Sequence, residues 1–525
     1  MFIYAAFSHM KLAPLCVLVA AVAGVVAGEL APPERSYKIL MLLPVTTKSH
    51  RNVFMPLAEA LADRGHEVVM LTNHPKSSRH PNVTEVTHGL PYFKEENMNM
   101  FDVRKDLAHL VKGIPAIARE LYHVPAVKDL YRRRKEFDLM FIDFLLNDVA
   151  YPFVHEVPFV SVLATAVNAR QAAIMGNVYN PAYVTNNLFP HAIPLTPWKQ
   201  FLNTLVHILQ PIYFNSWLYL PMVQKEISAQ FPELPPLLDL ERNMSLALIN
   251  THFSIGIPLP LLPSQVEVGG MHCRPASPLP QELESWITGA GSAGVIYFSL
   301  GSITQGTDMP VQYRDLFVQA FRRLPQRVIW KYEGVIENVP DNVMITKWLP
   351  QQDILAHDNV KVFITHCGLL GLQEAVYHAT PLLALPVFVD QPRNALIVRE
   401  SRLGRSLVWE EITVDIIVDA LIDIINDPKY KENVMRMSER MRDRPTSPRE
   451  LAVFWTEYVI RHRGAPQLRS PAAQLSWVEF LMLDVLLLLL LALFLLLFIL
   501  RRFFRGIAAK LFCSDGNKKK NSYLR

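Results

Sequence analysis

Cysteine is scarce in this 525-residue chain, with four in all. Cys16 lies in a leading apolar run and Cys513 in a basic tail, which leaves Cys273 and Cys367 for the folded part and excludes a disulfide scaffold. No Cys/His cluster has zinc-binding spacing. An excess of one charge is missing too. The formal net charge is +4, but residues 501 to 525 hold eight Lys and Arg against one Asp, so that +7 sits in the tail and −3 in everything before it. A body so close to neutral gives no support for nucleic-acid binding. There is no convincing internal repeat. The length is too great for a single core and points to two or three domains.

What the chain has in excess is apolar residues, 50% of the total, concentrated at its two ends. Residues 12 to 26 form an apolar run preceded by Lys11 and followed by small residues, the pattern of a secretory signal peptide spanning residues 1 to 28. Residues 477 to 500 are almost all Leu and Phe, interrupted by Asp484, and are long enough to cross a bilayer. Arg501, Arg502 and Arg505 follow at once, so the positive-inside rule puts the tail of residues 501 to 525 in the cytosol and the body in the lumen. Lys518 to Lys520 lie further from the terminus than a dilysine retrieval signal does. A lumenal body makes Asn82 (N-V-T) and Asn243 (N-M-S) glycosylation acceptors by sequence.

Between these ends the pattern is α/β. Residues 38 to 43 read as a buried strand, 53 to 64 as an amphipathic helix closed by Gly65, and 67 to 71 as the next strand, a β-α-β unit of a doubly wound sheet. His50 falls in the loop between strand and helix, where a helix N-terminus favours the neutral, proton-accepting imidazole suited to a general base. Residues 137 to 142 form another strand with Asp143 at its carboxyl end, able to orient His50; Asp148 is a weaker alternative. Residues 164 to 240 are Pro-interrupted and rich in aromatic and aliphatic side chains. They read equally as a helical core, an apolar acceptor pocket or a surface leaning on a membrane. Two proline-rich connectors follow, of which the second, residues 275 to 292, is the expected interdomain linker. A second sheet starts at residues 295 to 300, and Gly301 with Ser302 reads as a strand-to-helix turn able to face phosphate. Helical patterns continue over residues 414 to 425 and 430 to 441.

Residues 348 to 395 carry the strongest functional signal. Residues 362 to 365 are a strand, His366, Cys367 and Gly368 a turn, and residues 370 to 378 a helix whose N-terminus, with Gly368 and Gly371, suits an anion such as phosphate. Trp348 offers a flat face and Gln351 an amide, a pair able to stack on and read a base. Glu374 is placed to accept hydrogen bonds from a vicinal diol. A further strand, residues 380 to 386, delivers Asp390, Gln391 and Asn394 to the same carboxyl edge.

This stretch, with G-V-I-Y-F-S-L-G-S at 294 to 302, V-G-G-M-H-C at 268 to 273 and R-G-H-E-V at 64 to 68, resembles the UDP-glycosyltransferases, the family that includes the UDP-glucuronosyltransferases. The resemblance implies two Rossmann-like domains facing across a cleft, residues 29 to 274 binding the acceptor and 293 to 445 the UDP-sugar. Residues 446 to 476 then return towards the first domain, before one transmembrane helix. It implies a catalytic His50 preceded by Ser49, with Asp143 as its partner. The donor residues are Ser302, Trp348 for the uracil, Gln351 for its edge, His366 for phosphate, Glu374 for ribose, and Asp390 with Gln391 for the sugar. Cys367, where a Gly is usual, and Leu370, where many members place a polar residue, depart from the pattern and leave one phosphate contact open.

The implied activity is inverting transfer of a hexose from a UDP-sugar to a small lipophilic hydroxyl compound, as in detoxification or in hormone or pigment conjugation. No cofactor and no metal are expected. The implied partners are the UDP-sugar, the acceptor, membrane lipid and a second copy in a homo-oligomer. Leu259 stands where glucuronosyl-transferring relatives carry an Arg, so UDP-glucose is the first expectation and UDP-glucuronate the second. The competing reading is a membrane-tethered UDP-sugar-binding protein without transfer. Endoplasmic-reticulum residence, single-pass with a lumenal body, follows from family and topology.

Overall fold

The computed structural model describes residues 30–92, 99–104, 111–187 and 189–522, and the expected signal peptide lies outside them. The chain divides after Arg469 into two compact units. The larger is built on two all-parallel sheets. The first runs in the order β3-β2-β1-β4-β5-β6-β7, with β1 Lys38–Leu43, β2 Glu67–Thr72, β3 Val83–Thr87, β4 Leu139–Asp143, β5 Phe159–Leu163, β6 Leu246–Ile249 and β7 Gln265–Glu267. Its central strands are nearly continuous apolar runs, as parallel strands covered by helices on both faces require. The second runs β10-β9-β8-β11-β12-β13, with β8 Val295–Ser299, β9 Arg327–Lys331, β10 Val343–Thr346, β11 Val360–Thr365, β12 Leu382–Ala384 and β13 Gly404–Ser406.

Both sheets reverse strand order beside their first strand, between β1 and β4 and between β8 and β11. The register brings Leu42 opposite Ile142 in one pair and Ser299 opposite Thr365 in the other, so the carboxyl ends of each pair finish level. Such a switch point opens the crevice in which doubly wound sheets hold ligands.

Helix α1, Lys48–Asp63, begins five residues before the sequence pattern places it. Thr47 caps it, its hydroxyl accepting from the His50 N–H at 3.2 Å, and Pro56 is carried inside the helix. A proline suits the first turn of a helix starting at residue 53, so the periodicity misplaces the boundary. His50 therefore sits in the first helical turn and not in a loop. Gly301 and Ser302 are corrected in the opposite sense. They lie in an extended loop, and the next α-helix starts only at Val311.

In the 164 to 240 region α2, Pro197–Tyr213, is the longest helix, and the stretch read as linker carries a short one, Gln281–Thr288. Helices α3, Leu369–Tyr377, and α4, Gln391–Glu400, follow β11 and β12. The sequon residues Asn82 and Asn243 are exposed, whereas Ser245 of the second is buried. In the smaller unit, taken by itself, a helix runs from Leu483 to Ser522, later than the apolar segment suggests, because Met482 takes a positive φ of 51° and interrupts it. Its stretch Leu483–Lys510 is long and apolar enough to cross a membrane.

The two sheets are tied together by chain that crosses between them. Met100, Phe101 and Val103, from the first half, are buried in the core of the second sheet, the Phe101 ring edge-on to Trp409. In the other direction α5, Pro448–Arg461, returns to the first sheet and buries Ala452, Val453 and Val459 among Ile39, Met41 and Leu57. Its buried Glu457 accepts from Arg64 Nε at 2.5 Å and meets His66 Nε2 at 3.1 Å. Truncating Glu457 leaves the guanidinium and imidazole without their anion. Glu457→Ala is expected to cost about 3 kcal/mol of stability, read as a drop in thermal midpoint, and a loss below about 0.5 kcal/mol would show the latch to be mere surface decoration.

Candidate active site

The carboxyl edges of the two sheets enclose a cavity of about 530 Å³. From the first sheet Ser49, His50, Leu145, Leu146 and Thr165 face it. From the second come Ser302, Trp348, Gln351, His366, Gly368, Gly371, Glu374, Asp390 and Gln391. Of the residues singled out by sequence, Asp143, Asp148, Cys367 and Asn394 do not line the space, and Asp143 is the one that bears on the proposed chemistry. It stands behind His50, with its Oδ2 2.9 Å from His50 Nδ1. Its other oxygen accepts from the Leu145 N–H at 3.1 Å, so the carboxylate is held from both sides. With Nδ1–H donated to Asp143, Nε2 is the basic atom of His50. Asp148 has a different task, pairing with Arg170 at 3.3 Å in a buried cluster with Glu241.

The sequence reading missed what fixes this dyad. The fully buried Asn147 accepts from Val45 N and donates to Val45 O, both at 2.8 Å, stitching the loop after β4 to the loop that leads into α1. An Asn after a strand carries no signal of its own, since its meaning lies in a partner 102 positions away.

On the second sheet, burial pushes the His366 imidazole down to about 4, with Lys331 adding to the shift, so His366 is neutral at physiological pH. Among the described residues its Nδ1 has no hydrogen-bond partner, and neither has the buried hydroxyl of Ser302 or of Thr304. Three unsatisfied polar atoms around one cavity mark a site built for a polar ligand. The imidazole fits only because two neighbours lack side chains: a Cβ on Gly301 or on Gly368 would lie 2.6 Å from its ring atoms. Gly368 also caps α3, whose first-turn N–H groups open towards the cavity.

Gln351 and Glu374 form a pair. The Gln351 amide donates to Glu374 at 2.5 Å and its carbonyl accepts from the Tyr297 hydroxyl at 3.1 Å. Burial pushes the Glu374 carboxyl up to about 7. The Trp348 ring is half exposed, with the Lys48 ammonium 3.3 Å from its centroid. At the other end Asp390 accepts from Asn394 at 2.8 Å, and Gln391 Oε1 accepts from the Val387 and Phe388 N–H groups. Burial raises the Asp390 carboxyl, and the field of His50, from the opposite sheet, acts in the other direction. The general base candidate and the sugar-binding candidates thus share one electrostatic neighbourhood.

Cys367 and Leu370 can now be placed. Cys367 has φ 64°, a left-handed conformation that a glycine adopts without strain, and its side chain is buried in the core away from the cavity. Leu370 does reach the cavity and packs against the core of the first sheet. Lys331 was not foreseen. It ends β9, lines the cavity, donates to Gly301 O at 2.9 Å and pairs with Glu333. Its position at the carboxyl end of a strand was the available signal. Among the described residues of the 164 to 240 region, Thr165 alone faces the cavity.

Comparison with known proteins agrees with this geometry. The profile of the family described as "UDP-glucoronosyl and UDP-glucosyl transferase" matches residues 38–519. UDP-glycosyltransferase UGT5 of Dactylopius coccus is 34% identical, over 86% of this chain and 88% of its own. UDP-glucosyltransferase 2 of the same organism is 35% identical, over 86% and 89%. Among solved structures, Os79 from O. sativa, crystallised with a trichothecene, superimposes with a TM-score of 0.55 at 16% identity over 80% of this chain and 99% of that one, a likeness of fold. The chain belongs to the UDP-glucuronosyl and UDP-glucosyl transferase family and is an enzyme that transfers a sugar from a UDP-sugar donor.

Proposed function

We propose that the cleft performs inverting transfer of a hexosyl group, glucose before glucuronate, to a hydroxyl of a small lipophilic acceptor. The observation that carries this reading is the 2.9 Å pairing of His50 with Asp143 on the wall of the cavity that the donor-side residues share. The acceptor oxygen attacks the anomeric carbon from the face opposite the diphosphate. Its bond to that carbon forms as the bond from carbon to phosphate oxygen breaks, and its proton passes to His50 Nε2 while Asp143 stabilises the imidazolium.

Charge on the departing diphosphate is met by His366, the Ser302 and Thr304 hydroxyls and the first-turn N–H groups of α3, a preorganised set that calls on neither metal nor cofactor. Trp348 stacks on the uracil, Gln351 reads its edge, Glu374 accepts from the ribose hydroxyls, and Asp390 and Gln391 hold the hexose. Leu145, Leu146, Phe388 and Val389 give the acceptor an apolar wall.

For the sugar, Asp390 is the stronger argument, because a glucuronate carboxylate beside it meets a like charge. Leu259 is a weaker one, since it lies outside the main cavity, in a small space with Arg393. The name of UDP-glucosyltransferase 2 points the same way. The apolar helix with Arg501, Arg502 and Arg505 supports a single-pass protein of the endoplasmic-reticulum membrane with a lumenal body.

Three outcomes are expected. His50→Ala lowers turnover at least ~10²-fold while UDP-glucose still binds by calorimetry; loss of both together would mean that the catalytic half is misassigned. Because hydroxyl donors favour the ionised carboxylate, UDP-glucose affinity of the His50→Ala protein weakens as pH falls below about 7, the value to which burial brings Glu374, and adding Glu374→Gln flattens that profile. Finally, in microsomes carrying the full chain, turnover with a phenol panel is greater with UDP-glucose than with UDP-glucuronate and rises on permeabilisation. Equal rates with the two donors would remove the Asp390 argument, and full activity in sealed vesicles would place the body outside the lumen.

A further inference from the structure

The first turn of α1 carries a cation that helix energetics does not call for. Lys48 is its first residue, at the positive end of the helix dipole, and the turn holds no acidic side chain to offset it. The side chain instead leaves the first sheet, crosses to the second and sets its ammonium 3.3 Å from the centroid of the Trp348 ring. That contact joins two elements with different tasks. Trp348 stands in the loop between β10 and the short helix Gln351–Leu355, and His50 lies two residues after Lys48 in the same helical turn.

Which face of the indole the ammonium covers follows from the cavity wall. Thr47, Ser49, His50 and Trp348 line the cavity, whereas Lys48 does not. Lys48 therefore holds the ring from the side away from the cavity and leaves the other face open to it. Lys331, which does line the cavity, stands 5.9 Å from the same centroid and is already committed to Glu333 and Gly301 O.

We propose that Lys48 is a positioning residue for the donor: it presents Trp348 as a preformed platform for the uracil and fixes that platform relative to His50. The inference rests on the proposed stacking of uracil on Trp348. An indole that is 55% exposed has rotamer freedom to lose when a base stacks on it. A cation held against its back face removes that freedom beforehand, and indole is the ring to which an ammonium binds most strongly. Because the cation and the general base belong to one helical turn, the uracil and the imidazole are held at one separation across the cleft.

The test is a double-mutant cycle on the solubilised full-length protein, read as the dissociation constant of UDP by calorimetry. Lys48→Met keeps the length of the side chain and removes its charge, and is expected to weaken UDP binding about fivefold. Lys48→Arg, whose guanidinium also stacks on an indole, stays within about twofold of wild type. Trp348→Leu removes the platform and weakens binding about tenfold or more. With the platform gone, adding Lys48→Met changes the constant by less than about twofold, whereas a merely structural lysine gives an additive cycle. An unchanged constant in Lys48→Met, the same loss with or without Trp348, or a loss in Lys48→Arg as large as in Lys48→Met overturns the proposal. Tighter binding by Lys48→Met overturns it too, since the lysine would then be competing with the base for one face. If Trp348→Leu alone leaves UDP affinity unchanged, the stacking itself is misassigned, which separates the failure of that reading from the failure of Lys48.

Discussion

The amide of Gln373 is the contact on which the shape of the cleft depends. It is fully buried on α3, donates to Asn250 O at 2.8 Å and accepts from Gly270 N at 3.1 Å. Asn250 follows β6 of the first sheet, while α3 presents the donor-side turn of the second. A single planar group with both donor and acceptor used therefore joins two separately wound sheets. Removed from water, each of these bonds is costly to leave unmade, so the pairing specifies the distance between the halves more sharply than apolar packing does. Around it lie His272 Nε2 against Leu370 O at 3.2 Å, Gln352 against His272 O at 3.1 Å, and Arg274 against Asp353 at 2.6 Å. Burial pushes His272 down to about 4, keeping it a neutral donor to a carbonyl in a space where a cation would be unwelcome.

Backbone strain collects at the same edge. Cys367 and Val389 both take positive φ, 64° and 55°, immediately before Gly368 and Asp390. For a β-branched residue this conformation is unfavourable by roughly 1–3 kcal/mol and persists only where the surroundings over-determine it. Here the over-determination is visible. Asn394 donates to Cys367 O at 3.0 Å and to Asp390 Oδ2 at 2.8 Å, and Gln391 grips the two amides before Val389. The N-terminal turn of α4 thus holds both strained turns, so in the proposed reaction the phosphate-side and sugar-side contacts cannot drift independently.

How much of this was legible beforehand follows from what sequence encodes. The strand-turn-helix around His366 was readable because its strand is a continuous apolar run and its helix starts at a glycine; the observed elements, Val360–Thr365 and Leu369–Tyr377, lie within a residue or two of the pattern. Ser302, Trp348, Gln351, His366, Gly368, Gly371, Glu374, Asp390, Gln391 and His50 face one cavity, while Asp143 and Asn394 stand behind it, each touching a residue that does. The start of α1 was misread, since a capping hydroxyl at Thr47 outweighs a periodicity that Pro56 obscures. Asn147 and Gln373 were invisible for a different reason, as each acts through a partner distant in sequence. The exposed apolar face of α2, with Trp198, Phe201, Leu205 and Ile208, was visible as apolar spacing, but periodicity tells which residues share a face and not whether that face turns inward or outward.

The electrostatics of the cleft follow from burial more than from formal charge. His366 is held neutral, Lys331 is committed to Glu333 and Gly301 O, and burial raises the carboxyls of Glu374 and Asp390. A donor bearing a diphosphate brings its own negative charge into this low-dielectric space, where fixed N–H and O–H dipoles gain most of their strength. In the proposed reaction neutral His366 serves as an oriented hydrogen-bond donor, and because its ring can approach only where Gly301 and Gly368 lack a Cβ, the two glycines and the imidazole form one device. A cation in the same place would bind the ground-state diphosphate tightly before reaction. Dipoles aimed at the departing oxygens instead favour the moment when charge accumulates there, which is the differential that accelerates transfer.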